Sequence, residues 1–447
     1  MDTTANPYLL GNYAPVPDEL TVHDLPVTGR LPVELDGRYL RNGPNPVTAP
    51  DPATYHWFTG DGMVHGIRLR DGRAEWYRNR FVRSAGVAAA LGEPWRPGPV
   101  HAGMDFAPNT NVVAHAGRTL ALVEAGARPY ELTDELETVG PTDFDGTLPG
   151  GYTAHPKRDP ATGELHAVSY FWGWGNRVQY SVVGADGRVT RIVDVEVGGP
   201  ISVHDMSLTE RYAVIYDLPV VFDLDAAAGG ASFPYRWDAA YHARVGLLAR
   251  DATDGAHVAW FDVEPCYVFH PLNAYDDGDR VVLDVVRHPR MFATHVLGPD
   301  EGAPTLDRWT IDVAAGKLRE ERIDDRGQEF PRVDERVVGR CHRFGYTVTG
   351  GDGRPGALLK HDFERDTIEA RELGDATPGE AVFVPRAADA SEDDGWLLTL
   401  VYDPDRDTSD LVVLDARDVA GEPEAIVHLP RRVPFGFHGN WISEEDR

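Results

Sequence analysis

Short apolar segments separated by turn dipeptides recur along most of the chain and constrain its fold more than any other feature. The clearest segments are four to seven residues long and rich in β-branched or aromatic residues: 119–123, 166–171, 213–216, 280–286, 397–402 and 411–415. The turn dipeptides between such segments are Asp71-Gly72, Thr162-Gly163, Asp186-Gly187 and Ala315-Gly316. Glycine supplies the positive φ that tight antiparallel turns require, so the pattern predicts β-hairpins.

The length of this pattern indicates one closed domain. The best helical candidate is the short segment 83–91, and no linker rich in Gly, Ser or Pro divides residues 38–447. Propeller blades of four strands use roughly 40–60 residues each, so roughly seven blades would account for the length. We therefore predict an all-β propeller for residues 38–447. The proline-punctuated segment 1–37 is predicted to be an extended arm packed on its body.

Charge and cysteine content exclude several classes of protein. The chain carries 43 basic and 72 acidic residues, a formal charge of −29, so nothing in it would neutralise nucleic-acid phosphates. Its two cysteines, Cys266 and Cys341, are too few for a disulfide framework. The N-terminus lacks the pattern of a secretory signal, and no segment approaches the roughly 18 apolar residues of a membrane span. These features predict a cytoplasmic protein.

Four histidines each end or interrupt an apolar, strand-like segment: His155, His204, His270 and His438. The steps between them are 49, 66 and 168 residues, or about one, one and three blades. Because a propeller brings the inner strand of each blade to a common axis, histidines separated by whole blades can converge. We therefore treat the four as candidate metal ligands. The other thirteen histidines, His288 among them, are assigned to packing.

These histidines, together with the motifs at 38–46 and 56–66, resemble those of the carotenoid cleavage oxygenase family, which also includes stilbene-cleaving enzymes. The likeness covers nearly the whole chain. It implies a seven-bladed β-propeller with short helices and loops capping one face, and Fe²⁺ held on the axis by the four histidines. Imidazole ligands alone suit Fe, Zn, Cu or Ni, so the choice of ferrous iron comes from the resemblance.

The resemblance also implies roles for four further residues. Glu124, Glu329 and Glu380 match the family's glutamates behind the ligand histidines, and a bound histidine usually donates its other ring N–H to such a carboxylate. Each lies beside apolar residues, where an unpaired carboxylate would be costly. Thr110 corresponds to a catalytic-site residue that narrows one open position at the iron.

The implied reaction is scission of a conjugated carbon–carbon double bond by O₂ into two carbonyl fragments. It requires a hydrophobic conjugated substrate, O₂ and an apolar tunnel, and no obligatory protein partner is implied. Aromatic residues near a propeller axis are often only core, but some are candidates for the tunnel lining. The full set of tunnel candidates is Phe58, Val123, Trp172, Trp174, Phe269, Phe437 and Trp441.

The substrate expectation depends on Val123. Stilbene-cleaving relatives carry a lysine at the position just before the first glutamate, and here that residue is Val123. The segment 87–91 also lacks the tyrosine expected beside that lysine. The sequence therefore favours a carotenoid or apocarotenoid over a lignostilbene or phenylpropene.

Two other functions remain open from the sequence. One is a non-enzymatic propeller that binds a protein or glycan, and the other is alkene isomerisation or hydrolysis at the same iron. Relatives that act on carotenoids often dock to membranes. Segments 220–222 and 233–237 are candidates for such a weak peripheral contact, although loop packing explains them equally well and the charge of −29 opposes an anionic bilayer.

Overall fold

The computed structural model describes residues 6–299, 301–351 and 354–444, and β-strands dominate it. The strands of the first half are β1 (Leu20–His23), β2 (Val27–Gly29), β3 (Gly37–Pro44), β4 (Gly62–Arg70), β5 (Arg73–Phe81), β6 (Asn111–His115), β7 (Arg118–Leu122), β8 (Tyr130–Leu132), β9 (Thr138–Pro141), β10 (Lys157–Arg158), β11 (Leu165–Tyr170), β12 (Arg177–Val183), β13 (Val189–Glu196), β14 (Ser207–Leu208), β15 (Tyr212–Asp217) and β16 (Val220–Phe222). Those of the second half are β17 (Tyr235–Trp237), β18 (Arg244–Ala249), β19 (Ala259–Asp262), β20 (Pro271–Asp277), β21 (Arg280–Arg287), β22 (Thr305–Asp312), β23 (Lys317–Asp324), β24 (Glu329–Arg332), β25 (Phe344–Gly351), β26 (Arg354–Asp362), β27 (Thr367–Gly374), β28 (Thr377–Pro378), β29 (Val382–Pro385), β30 (Gly395–Asp403), β31 (Thr408–Asp415), β32 (Ala425–His428) and β33 (Gly439–Ser443).

Helices are few and short. The two α-helices are α1 (Ala85–Leu91) and α2 (Leu224–Ala228), and five 3₁₀ turns lie at Pro7–Leu9, Gly11–Tyr13, Trp57–Thr59, Trp172–Trp174 and Glu335–Val337. Helix α1 lies within the segment predicted from its alanine content, and the Ser84 side chain caps it by accepting from Val87 N. Within the described part of the chain, no helix is long and apolar enough to cross a bilayer.

Seven sheets form the blades of a propeller, as predicted. In strand order they are blade 1 (β1-β5-β4-β3-β33), blade 2 (β6-β7-β8-β9), blade 3 (β10-β11-β12-β13), blade 4 (β14-β15-β18-β19), blade 5 (β20-β21-β22-β23), blade 6 (β24-β25-β26-β27) and blade 7 (β2-β32-β31-β30-β28, with β29 also on β30). Strands β16 and β17 form a separate two-stranded ribbon.

Hairpins with the expected turn chemistry build the blades. Asp71 and Gly72, between β4 and β5, both have positive φ, at 51° and 69°. Gly187, in the turn between β12 and β13, has a φ of 79°. Apolar residues of neighbouring blades pack together, so that Val168 of blade 3, Val214 of blade 4 and Val285 of blade 5 belong to one core cluster.

Strands from both ends of the chain complete two blades. Strand β33 pairs antiparallel with β3, with Arg41 opposite Gly439, and this pairing closes the ring in blade 1. In the N-terminal segment, β1 is an edge strand on β5 and β2 is an edge strand on β32 of blade 7. Residues 1–5 and 445–447, which belong to the predicted arm and propeller respectively, lie outside the described residues.

A buried ion pair inside the ring gives a stability prediction. Asp284 of β21 is fully buried and accepts from Arg308 Nε at 2.7 Å and Nη2 at 2.8 Å. Burial alone would raise the pKa of Asp284, but Arg308 and His342 hold it below its usual value. Removing one member of a buried pair leaves the other uncompensated, so we expect Asp284→Asn to lower the free energy of unfolding by about 3 kcal/mol.

Urea unfolding at pH 7 measures this effect, and the exposed pair Arg177–Asp194 supplies the control, Asp194→Asn, with an expected cost below about 1 kcal/mol. An aspartate with a depressed pKa contributes fully to the free energy of unfolding above its unfolded-state pKa, and this contribution is lost as the pH falls through its folded-state pKa. The difference between wild type and Asp284→Asn should therefore shrink in acid. Equal costs for the two variants at pH 7 would contradict the prediction.

Candidate metal centre

Four buried histidines from four blades meet in one group. One ring nitrogen from each of His155, His204, His270 and His438 lies within 4.8 Å of those of the other three. The four histidines precede strands β10, β14, β20 and β33, respectively, by one to three residues. These strands belong to blades 3, 4, 5 and 1, which matches the predicted steps of one, one and three blades.

Backbone contacts hold His270 and His438 just ahead of their strands. His270 is followed by Pro271, which has no N–H to donate, and the His270 carbonyl accepts from Val286 N at 3.0 Å. His438 lies between two backbone bonds, since its N–H donates to Thr110 O at 3.0 Å and its carbonyl accepts from Asn42 N at 3.0 Å. The backbones of His270 and His438 are therefore each held by bonds to segments remote in sequence.

Three glutamates stand behind three of the histidines, through the ring nitrogen Nδ1. His204 Nδ1 lies 2.9 Å from Glu124 Oε2, His270 Nδ1 lies 2.7 Å from Glu329 Oε2, and His438 Nδ1 lies 2.9 Å from Glu380 Oε1. A carboxylate accepts, so Nδ1 carries the hydrogen and Nε2 keeps the lone pair that a metal needs. Glu124 follows β7 of blade 2, Glu329 begins β24 of blade 6 and Glu380 precedes β29 of blade 7, so each blade contributes one of the seven side chains.

The spacing of the nitrogens fits a shared divalent ion. An imidazole nitrogen lies roughly 2.1 Å from a bound ion, so two such nitrogens at a right angle are about 3 Å apart. His204 Nε2 and His270 Nε2 are 3.1 Å apart. His155 Nε2 is buried and has no hydrogen-bond partner in the described chain. An all-imidazole donor set suits Fe, Zn, Cu or Ni, so these residues fit a transition metal.

Electrostatics favour neutral rings at His155 and His270 and a charged carboxylate at Glu329. Burial lowers the pKa of His155 well below its usual value and lowers the pKa of His270 to about 3. Burial also acts on His204, but Glu124 outweighs it and raises the pKa of that ring. The carboxyl of Glu329 keeps its pKa below the usual value despite burial, because His270 and His288 donate to it.

The fourth histidine has a different environment. His155 Nδ1 lies 3.6 Å from Asp205 Oδ2, too far for a hydrogen bond, and Asp205 is itself bonded to Lys157 Nζ at 2.7 Å. Burial raises the pKa of Asp205, with Lys157 opposing it. His155 is therefore held mainly by its buried surroundings, whereas the other three rings are each fixed by a carboxylate.

A cavity of about 720 Å³ adjoins the histidines, with His204 and His270 in its wall. Five of the seven tunnel candidates line it: Phe58, Val123, Trp172, Phe269 and Phe437. Thr110 also lines it, and its Oγ1 donates to Asn109 Oδ1 at 2.9 Å. A pocket of this size, apolar with a few convergent polar groups, is typical of a small-molecule site.

The other two tunnel candidates, Trp174 and Trp441, are not part of the described lining of this cavity. Trp174 ends the 3₁₀ turn that begins at Trp172, and the turn directs its ring towards Phe171 and His101. Trp441 lies in β33, opposite Tyr39, and packs against the core cluster shared by blades 1 and 7. The direction of a side chain on a turn or at the ring closure depends on register, which the sequence does not reveal.

The segments suggested as a membrane patch are packed. They pair as the ribbon of β16 and β17, and Val220, Val221 and Tyr235 are buried. Phe222, Phe233 and Tyr235 line the cavity instead. Packing accounts for these buried residues, and the weak peripheral membrane contact stays a prediction.

His288 is a residue that the sequence analysis missed. It was assigned to packing, yet its Nε2 lies 2.8 Å from Glu329 Oε1 and its side chain lines the cavity. A signal for it existed, because His288 follows the end of β21 and precedes Pro289, as His155 and His270 each precede a proline.

Comparison with known proteins agrees with this geometry. Residues 13–443 match the family model described as retinal pigment epithelial membrane protein. The chain is 52% identical to a carotenoid cleavage oxygenase of Mycobacterium tuberculosis, over 98% of this chain and 97% of that protein. It is 32% identical to the carotenoid 9,10(9′,10′)-cleavage dioxygenase 1 of Phaseolus vulgaris, over 98% of this chain and 90% of that protein.

Solved structures give the same result. The lignostilbene dioxygenase of Pseudomonas brassicacearum superposes with a TM-score of 0.87 at 28% identity, covering 98% of each chain. The cobalt-substituted apocarotenoid oxygenase of Synechocystis superposes with a TM-score of 0.86 at 27% identity, covering 96% of this chain and 97% of that one.

Proposed function

The chain belongs to the carotenoid cleavage oxygenase family, and from this we propose that it is a non-haem Fe²⁺ dioxygenase acting on a carotenoid or apocarotenoid. It cleaves one conjugated carbon–carbon double bond with O₂, so that the two alkene carbons become two carbonyl groups. The observation that carries the proposal is the group of four buried histidines at the wall of a largely apolar cavity.

Ferrous iron is the proposed metal, held by His155, His204, His270 and His438. When bound, it supplies a redox-active centre that activates O₂. The donor set is consistent with iron, and a relative of similar structure has been obtained with cobalt in place of its metal. Glu124, Glu329 and Glu380 keep three rings in the Nδ1–H tautomer. Phe58, Phe269 and Phe437 orient a flat conjugated chain and exclude water.

The charges of the cavity support a neutral substrate. Its described lining contains no lysine or arginine, whereas four carboxylates reach it: Asp61, Asp105, Glu124 and Glu329. A substrate phenolate or carboxylate that entered the cavity would lose its hydration and would find no lysine or arginine to pair with. Val123 occupies the position where stilbene-cleaving relatives carry lysine, and it lines the cavity. Both observations favour an uncharged polyene over a hydroxylated stilbene.

Metal analysis and product masses test the proposed function. We expect one iron per chain and O₂-dependent conversion of an apocarotenal into two shorter carbonyl products. Products of unchanged carbon number would instead identify isomerisation or hydrolysis, and faster turnover of a hydroxylated stilbene would identify a lignostilbene-type enzyme. A purified protein that binds no metal and leaves every polyene unchanged would contradict enzymatic function altogether.

The lack of lysine and arginine in the described lining gives a separate prediction. At pH 7 we expect an apocarotenoic acid to be cleaved with a kcat/KM at least ~10-fold below that of the aldehyde of the same length, because burial of an unpaired carboxylate is unfavourable. Val123→Lys should narrow this difference by adding a cation beside the cavity, and Val123→Met, which adds length without charge, is the matched control. Equal rates for the acid and aldehyde in the unmodified enzyme would contradict the interpretation.

A further inference from the structure

Each glutamate behind the histidines has a second polar partner, and the partners differ in kind. Tyr170 OH donates to Glu124 Oε1 at 3.3 Å, and Arg332 Nη1 lies 3.1 Å from Glu380 Oε2. The second partner of Glu329 is His288, whose Nε2 lies 2.8 Å from Oε1. Because His270 Nδ1 takes the other oxygen of Glu329 at 2.7 Å, this carboxylate joins two imidazole rings.

The backbone around His288 ties it to the segment that carries His270. His288 N donates to Tyr267 O at 2.8 Å, and Tyr267 N donates to His288 O at 2.9 Å. The His288 ring packs edge-on against Phe269, with centroids 5.1 Å apart. His288 is 4% exposed, so neither water nor another rotamer replaces this contact with Glu329 at little cost.

The tautomer of His288 follows from its partners. Glu329 only accepts, so Nε2 of His288 carries the hydrogen, and the buried Nδ1 has no partner among the described residues. The ring therefore serves Glu329 as a single donor in a fixed direction. Without it, Oε1 of Glu329 would lose its donor, and the carboxylate would be held only through Oε2, by His270 and the Phe330 N–H, about a last torsion that is broad for glutamate.

We propose that His288 is a positioning residue for the metal site, which fixes Glu329 and through it the orientation of His270. The inference rests on the proposed function only for the presence of a metal at the four histidines. No described hydrogen bond joins His288 directly to any of the four ligand candidates, and its ring bonds to Glu329 instead. Outer partners of ligand histidines typically contribute about 10–100-fold to metal affinity.

The test compares His288→Leu, His288→Gln and His361→Leu. Leucine removes the donor, whereas glutamine places an amide N–H near the position of the imidazole Nε2–H. His361 is the matched control, because it is also buried with an unpartnered Nδ1, but its Nε2 bonds to Thr347 in blade 6. The dissociation constant for Co²⁺ and the visible spectrum of the Co²⁺ protein are measured without substrate.

We expect His288→Leu to weaken Co²⁺ binding about 10-fold and to alter the visible spectrum, with His288→Gln within about 3-fold of wild type. His361→Leu should leave both unchanged while costing similar thermal stability. Unchanged Co²⁺ affinity in a folded His288→Leu protein would overturn the inference, as would an equal loss in His361→Leu. If the unmodified protein bound no Co²⁺ or Fe²⁺, the proposed function itself would fail, so the two failures are distinguishable.

Discussion

Replacing His438 by alanine is expected to remove both the bound metal and the cleavage of the polyene. His438 supplies one of the four converging nitrogens, and alanine at this position offers no ligand atom. A catalytic metal contributes several kcal/mol of transition-state stabilisation, and about 4 kcal/mol corresponds to roughly 10³-fold in rate. We therefore expect iron content near zero and a rate at least ~10³-fold lower.

The matched control for this experiment is His65→Ala. His65 is equally buried but bonds to Tyr77 OH at 2.9 Å, within blade 1 and outside the four-histidine group. The His65→Ala protein should retain iron and most of its activity, despite a loss of stability. Full iron occupancy in a folded His438→Ala protein would show that His438 is not a ligand.

Replacing Glu380 by leucine should have the second largest effect, on both stability and metal binding. Glu380 is buried and accepts from His438 Nδ1 at 2.9 Å and from Gly439 N at 3.0 Å, with Arg332 at 3.1 Å. Arg332 and His438 hold the pKa of Glu380 below its usual value although burial opposes them. Leucine would leave the Arg332 guanidinium with the half-exposed Glu335 as its remaining carboxylate partner and would deprive Gly439 N–H of its acceptor, so we expect the free energy of unfolding to fall by about 3–5 kcal/mol.

The metal affinity of Glu380→Leu should also fall, by about 10–100-fold, because His438 loses the acceptor that orients its ring. Urea unfolding of the metal-free proteins separates the stability effect from the affinity effect. Glu380→Gln keeps one acceptor and the side-chain volume, so its losses should be smaller in both measurements. If Glu380→Leu and wild type were equally stable in the metal-free state, the ion pair between Arg332 and Glu380 would not contribute to stability, contrary to this prediction.

The residues predicted best from sequence were those with a local signal. His270 could be recognised because it ends an apolar segment and precedes a proline, and the hairpin at Asp186-Gly187 because only certain residues adopt positive φ in such a turn. The blade spacing of the four histidines could be interpreted because a propeller converts whole-blade separations into proximity.

The residues predicted poorly depend on contacts between distant segments. His288 meets Glu329 because blades 5 and 6 are neighbours, with β20 of blade 5 against β24 of blade 6. No local pattern distinguishes His288 from packing histidines except its following proline. Trp172 and Trp174 lie in one 3₁₀ turn, yet Trp172 stacks on Phe222 and Trp174 lies against His101, a difference that no local pattern indicates. The sequence analysis placed strands β1 and β2 in an extended arm and did not predict their pairing, because their partners, β5 and β32, are remote in sequence.

The closure of blade 1 by β33 has a consequence for biosynthesis. His155, His204 and His270 leave the ribosome well before His438, which immediately precedes the last strand of the described chain. His438 can join them only after β33 has docked on β3, so the four-histidine group is complete only once that strand has been made. A nascent chain released before residue 438 would carry three of the four histidines and an unclosed blade 1.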